Sequence, residues 1–207
     1  MASALAAGFV LGMAIAASPG PIFFLCVRRN LERGWPSGVA SGLGVALADA
    51  FYAALAAFGV GTLMGLLLGQ RRWLELAGGL ALLLLAGRMA VSTPAEQRRE
   101  WGGTSLASSF GSTLGLTLAN PATILSFAAV FAGLGGRLVG VRQGAAWLVI
   151  GVLLGSLAWW TVLAVGLSVL RARLGPRALR VLQLAAATAV GVFGGVAVVS
   201  AITARGV

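Results

Sequence analysis

Apolar residues do not alternate along this chain. They run in long blocks separated by short arginine-bearing intervals. Charge-free stretches extend from the first residue to Val27 and from Gly34 to Leu68, the latter interrupted only by Asp49. Others run from Leu76 to Gly87, Trp101 to Gly136, Gln143 to Leu170 and Val181 to Ala204. A helix that crosses a ~30 Å hydrocarbon core needs about 20 residues, and each block is that long or nearly so. The pattern predicts six membrane-spanning helices, over Ala4–Val27, Ser37–Leu67, Trp73–Val91, Leu106–Leu134, Gly144–Leu170 and Leu179–Thr203. The second exceeds the bilayer at about 1.5 Å per residue and is expected to tilt or to fray near Gly65 to Gly69. The intervals leave no room for a soluble domain. The expected class is therefore all-α integral membrane, a single transmembrane domain over residues 1–207.

Composition agrees with the pattern. Of the residues, 59% are apolar and only 10% charged, against about a quarter charged in a soluble domain. The net charge of +10 would suggest nucleic acid in a soluble protein. Here the arginines sit between apolar blocks, where they are expected to anchor helix ends at lipid head groups, so the lipid bilayer and not nucleic acid is the expected partner. Ten arginines fall in the intervals after the first, third and fifth spans and five on the other side. That excess marks the first group as cytoplasmic and puts both termini outside. The first block carries small residues like those of a cleavage site, but no positive charge precedes it, so it reads as a retained helix rather than a signal peptide. Trp35, Trp73, Trp101 and Trp147 fall near predicted span ends, as an interfacial belt requires. Trp159 and Trp160 do not, and are left to line a cavity or face lipid.

The chain has no histidine and one cysteine, Cys26. Histidine-dependent metal sites and histidine bases are excluded, and no internal disulfide can form. No cofactor and no metal is expected, and so few acids offer little from which to assemble an enzyme's catalytic site.

The two halves resemble each other. "FVLGMAIAASPGPIFFLCV" begins at Phe9 and "FGSTLGLTLANPATILSFAAV" at Phe110. Ser18-Pro19 stands opposite Asn120-Pro121, a small polar residue followed by proline in each. Downstream, "RGWPSGVASGLGVALADAFY" and "RQGAAWLVIGVLLGSLAWW" share glycine spacing. Two three-helix repeats, about 1–92 and 105–207, must insert with opposite topology, and interrupted helices at equivalent places in such inverted repeats point to a substrate site. Proline removes a backbone donor and clashes with the preceding turn. Carbonyls freed in this way persist in a membrane only where protein, water or ligand satisfies them. Ser18, Pro19, Gly20 and Pro21 in the first half, with Asn120 and Pro121 in the second, are thus the candidate pocket.

Asp49 is the acid well inside a span. A carboxylate there costs about 2.5–3.5 kcal/mol on insertion scales and should face the interior or a wet cavity. It could hold a substrate ammonium, or take up and release a proton; a salt bridge to Arg88 is the plain structural alternative. Tyr52, three residues on, could donate a hydrogen bond into the same cavity. Glu75, beside Arg71 and Arg72 at a helix start, is expected to serve the helix dipole. Glu32 is expected to pair with Arg28. The glycines should let helices approach closely, with Gly34, Gly38, Gly42 and Gly44 forming one such face.

"SPGP" at Ser18–Pro21, "RRNLERGWPSGVASGLGVALAD" at Arg28–Asp49 and "GSTLGLTLANPATILSF" at Gly111–Phe127 together resemble the LysE/RhtB family of amino-acid exporters, over the whole chain. The resemblance implies export of amino acids or similar small solutes across a bacterial inner membrane, by exchange with protons. It carries the first helix break onto Pro19, Gly20 and Pro21, the acid of the second helix onto Asp49, and the second break onto Asn120 and Pro121. Ala122 stands where the family often has lysine, which bears on which solute moves. Alternating access would be a rocking of one three-helix repeat against the other. A metal-cation exporter of the same fold and an ion channel are the alternatives, and pairing with a second copy of the chain is left open.

Overall fold

In the computed structural model the described residues are 1–58, 69–91, 105–133 and 142–203. All regular structure among them is helical: α1 (Ala2–Ala16), α2 (Pro21–Arg33), α3 (Trp35–Ala57), α4 (Arg71–Val91), α5 (Leu106–Leu118), α6 (Pro121–Gly133), α7 (Arg142–Arg173) and α8 (Pro176–Thr203). By length and composition α3, α4, α7 and α8 can each cross a bilayer, and the bent pair α1–α2 makes a fifth candidate. The helices α5 and α6, of 13 residues each, are too short to cross alone. The outer surface of the bundle is apolar, with Val10, Leu84, Val162 and Val181 well exposed, as a lipid-facing wall must be.

The first predicted span is two helices meeting at 79°. Pro19 and Pro21 remove two backbone donors within three residues, which ends α1. Pro21 then occupies the first turn of α2, where its missing N–H costs nothing, behind the extended Gly20. The predicted fourth span is also divided, α5 ending at Leu118 and α6 beginning at Pro121. The proline that starts the second arm is therefore Pro21 in one half and Pro121 in the other. Gly20-Pro21, not Ser18-Pro19, is the structural counterpart of Asn120-Pro121.

The second arm of the bent pair continues to Arg33, beyond the expected end at Val27, and its arginines turn inward. Arg28 and Arg29 are buried rather than reaching lipid head groups. Arg28 pairs with Glu32, and Arg29 donates to the Ser109 carbonyl at 3.0 Å. Asn30 donates to the Ala164 carbonyl at 2.8 Å and accepts from Ser168 at 2.9 Å. Buried polar groups require such partners, and these ones fasten α2 to α5 and α7. Gly34, with φ 84°, is the single residue between α2 and α3; side chains rarely adopt that conformation.

The α3 helix stops at Ala57 rather than Leu67. Its 23 residues match the hydrocarbon core at about 1.5 Å each, with no need for strong tilt. Residues 59–68, where most of the predicted fray fell, lie outside the described residues. So do Glu96, Arg98, Arg99, Glu100, Trp101, Arg137 and Arg205. Trp35 and Trp73 are exposed.

The most extensive packing joins helices of different halves. A Cβ added at Gly8 or Gly12 would collide with the Leu148 and Val152 carbonyls, and one at Gly151 or Gly155 with those of Leu5 and Phe9. The α1 and α7 backbones thus touch through a reciprocal pair of glycine steps of the kind that drives helix association in lipid. The α4 and α8 helices touch in the same way at Gly79 and Gly194. The expected face of Gly34, Gly38, Gly42 and Gly44 divides: Gly38 and Gly42 meet Ala164 and Trp160 on α7, whereas Gly44 meets Phe110 and Thr113 on α5. Contacts run reciprocally between the halves: α1 on α7 answers α5 on α3, while α3 pairs with α7 and α4 with α8. Among the described residues the packing within each half is less extensive than the packing between the halves. The natural division is a core of α1, α3, α5 and α7 beside an α4–α8 pair, joined chiefly through α2.

Candidate functional site

The core and the α4–α8 pair enclose a cavity of about 350 Å³. Both helix breaks open into it: Ser18, Pro19, Gly20 and Pro21 on one side and Asn120 on the other. Their position follows from the chain itself. Each break ends a helix on the core; the arm beyond the first break, α2, packs chiefly on α8, and the arm beyond the second, α6, packs chiefly on α3. The first amides of each arm have no acceptor within their own helix. In α2 these are the N–H groups of Ile22 and Phe23, two residues on the cavity wall. In α6 the Ala122 N–H bonds the Asn120 Oδ1 at 3.1 Å. Asn120 is thus an N-cap, a position that asparagine fills well, and its side-chain oxygen is engaged by the helix it starts. Gly20 offers α2 no side-chain cap.

Asp49 lines the same cavity and is 1% exposed. One of its carboxylate oxygens accepts a hydrogen bond from Ser156 Oγ on α7 at 2.7 Å. Val45, one turn earlier on α3, also lies on the wall. Tyr52 does not. Its hydroxyl donates to the carbonyl of Leu118, the last residue of α5 before the second break, and its ring packs beside Phe127. Tyr52 steadies the break from behind rather than reaching the cavity. Pro121 begins α6 beside Asn120.

Several wall residues were not singled out from the sequence as part of the site, Glu75 and Trp160 among them. Glu75 is buried and lies on the cavity wall, instead of merely marking a helix start. It opens a face of α4 that continues through Gly78, Gly79 and Leu82. That i, i+3, i+4, i+7 spacing was visible in "ELAGGLAL", but the adjacent arginines made Glu75 look interfacial. Trp160, the tryptophan whose place was left open, is 3% exposed and lines the cavity. Phe23 and Phe193 add aromatic wall, and Thr117, Thr123, Ser126 and Ser200 add hydroxyls. Among the described residues, no group of three or more acidic, cysteine or histidine side chains is gathered as a metal site would require.

The cavity therefore combines a buried carboxylate, a second acid on α4, the uncapped start of α2, and a largely apolar, partly aromatic lining. Such a chamber suits a small solute with a positive pole and an anionic or polar one.

A family model described as LysE type translocator matches residues 13–201. The uncharacterized membrane protein YahN of Escherichia coli (strain K12) is 49% identical over 47 residues, 23% of this chain and 21% of that protein. The chain thus spans about a fifth of that relative's length in the match. No solved structure matches.

Proposed function

The chain belongs to the LysE type translocator family, a multi-pass membrane translocator of small solutes, and on that premise we propose that it exports amino acids across a bacterial inner membrane in exchange for protons. One observation carries this reading: Asp49 and both interrupted helices line a single cavity. The solute's ammonium lies against the Asp49 carboxylate. Its carboxylate lies toward the free amides at the start of α2, where a helix N-terminus favours an anion. An acid that holds either an ammonium or a proton, never both, couples the two by competition. One proton moving down a tenfold gradient releases about 1.4 kcal/mol, enough to sustain a tenfold gradient of a neutral zwitterion.

The reciprocal packing of the halves and the matched prolines support six crossings as two inverted three-helix repeats, with α1–α2 and α5–α6 as interrupted spans. Such repeats place substrate at their interface near the midplane. The moving part is the α4–α8 pair, which forms one wall of the cavity and turns against the four-helix core.

The test is purified protein in liposomes with an imposed pH gradient and a panel of amino acids. The wild type is expected to give saturable flux driven by the gradient. Asp49→Asn is expected to abolish that flux while still eluting as a folded protein from a sizing column. Full gradient-driven transport by the variant overturns the proton role; no flux of any amino acid overturns the substrate class; flux that rises linearly without saturation points to a channel.

A further inference from the structure

The attachment of α2 to the core differs in kind from the other close helix contacts. Where α1 meets α7 and α4 meets α8, glycine lets backbones touch. The second half of α2 is held to the core by polar side chains instead. Arg29 donates to the Ser109 carbonyl on α5 at 3.0 Å and stands 3.5 Å from the Ser41 hydroxyl on α3. Arg33 donates to the Ser109 hydroxyl at 3.1 Å. Asn30 joins α7 through the Ala164 carbonyl and the Ser168 hydroxyl. The most extensive packing of α2 is on α8, outside the core.

Beneath these side chains lies a stripe of hydroxyls. On α5, Ser109, Thr113 and Thr117 follow at four-residue steps. On α3, Ser37, Ser41, Val45 and Asp49 do the same, and residues so spaced share a helix face. The two faces meet: the Ser37 and Ser109 hydroxyls are 3.1 Å apart, and Thr113 donates to the Ser41 carbonyl at 2.9 Å. All five hydroxyl residues are buried. At one end the stripe reaches the cavity, whose wall includes Thr117, Val45 and Asp49. At the other it reaches the turn at Gly34, Ser37 lying about 18 Å from Asp49 along α3 at ~1.5 Å per residue. A translocator must connect its cavity to each side of the membrane in turn. A contact made of hydrogen bonds can part at small net cost when water replaces each partner.

We propose that this hydroxyl stripe is one half of the solute's path and that α2 is its gate. Arg29, Asn30 and Arg33 clasp α2 over the stripe when the gate is closed, and α2 turns away with α8 to open the stripe to the membrane face at Gly34. The assignment rests on the translocator reading above and on no particular solute. The same polar contacts serving only as glue between helices would hold through every turnover, and the experiment separates the two.

The experiment uses the full chain in liposomes with Cys26→Ser as background. Asn30 Oδ1 and Ser168 Oγ stand 2.9 Å apart, so Asn30→Cys with Ser168→Cys brings two sulfurs within bridging reach. Oxidation of the pair is expected to abolish amino-acid flux and dithiothreitol to restore it, with neither single cysteine responding. Crosslinked protein that carries the flux of its reduced form overturns the gate. The second arm needs neither a crosslink nor flux. Ser41→Cys lies under the clasp, and Ala53→Cys is equally buried on α3 but away from it. Both are exposed to a small, charged, water-soluble thiol reagent present on both sides of the membrane. Ser41→Cys is expected to react about tenfold faster or more, because a group uncovered by local opening outpaces one that awaits wider unfolding. Arg29→Met, which weakens the clasp, is expected to speed that reaction further. Ser41→Cys as inert as Ala53→Cys overturns the gate, and this arm decides where the paired cysteines do not bridge or do not transport. A wild type without amino-acid flux removes the amino-acid reading alone, and the labelling still decides the gate.

Discussion

Replacing Gly12 with alanine adds one methyl group where α1 meets α7. That carbon would stand against the Val152 carbonyl, far inside the 3.4 Å at which ordinary contact begins. The obstacle is backbone, so no side-chain rotation relieves it. Gly8 meets Leu148 one turn earlier, and Gly151 and Gly155 answer from the other helix, so α1 cannot yield locally and must stand away over several turns. A gap of 0.5–1 Å forfeits about a quarter to a half of each dispersion contact, and overpacked sites of this kind cost about 1–3 kcal/mol. Alanine also raises helix propensity by about 1 kcal/mol, which masks part of the loss. Gly166→Ala provides the control. Gly166 lies on α7, the helix that faces α1, and a Cβ there would meet nothing within 4 Å, so it gains the propensity without the clash. The two variants should differ by about 1–3 kcal/mol, Gly12→Ala being the less stable. Sodium dodecyl sulfate titration in mixed micelles, followed by tryptophan fluorescence, measures the difference. Equal midpoints for the two variants would refute the close approach of α1 and α7.

Tyr52→Phe removes a donor from the Leu118 carbonyl and should cost about 0.5–1.5 kcal/mol in the same titration. Because Tyr52 stands behind the cavity wall, KM in the flux assay should stay at the wild-type value. Glu75→Gln keeps shape and removes a negative charge from the α4 wall. Competition by L-lysine, which carries a second positive charge, should weaken several-fold more than competition by L-threonine, and equal effects on both would remove Glu75 from the substrate's surroundings.

Much of this architecture was legible because the bilayer imposes one-dimensional rules. Charge-free blocks marked the helices, and paired prolines marked both interruptions. Asp49 stood out because a carboxylate inside a span must have a protected place. What stayed hidden depends on which face of a helix meets which neighbour. Glu75 looked interfacial beside Arg71 and Arg72, yet one turn of α4 carries it to the cavity. Arg28 and Arg29 counted as cytoplasmic charge, but that rule says nothing about whether an arginine turns inward, and the bend at Gly20 turned them. The register of the first break slipped by two residues because the sequence match aligned a polar residue before proline, while the backbone aligns the proline that starts a helix. Among 31 glycines, nothing local distinguished the four that join α1 to α7 from those that touch nothing. The interleaving of the two halves lies in tertiary contacts that no local pattern encodes.

The central claim is that both interruptions and Asp49 share one chamber that water and solute enter. The single cysteine, Cys26, is buried, so a Cys26→Ser background allows thiols to be introduced one at a time. Ser18→Cys, Asn120→Cys and the lipid-facing control Val162→Cys can each be treated with a small, charged, water-soluble thiol reagent in the membrane. The account predicts that the cysteines at both breaks react, that the transported amino acid slows both reactions, and that the control stays inert. Breaks that react no faster than the control, or only one break protected by the amino acid, would contradict it.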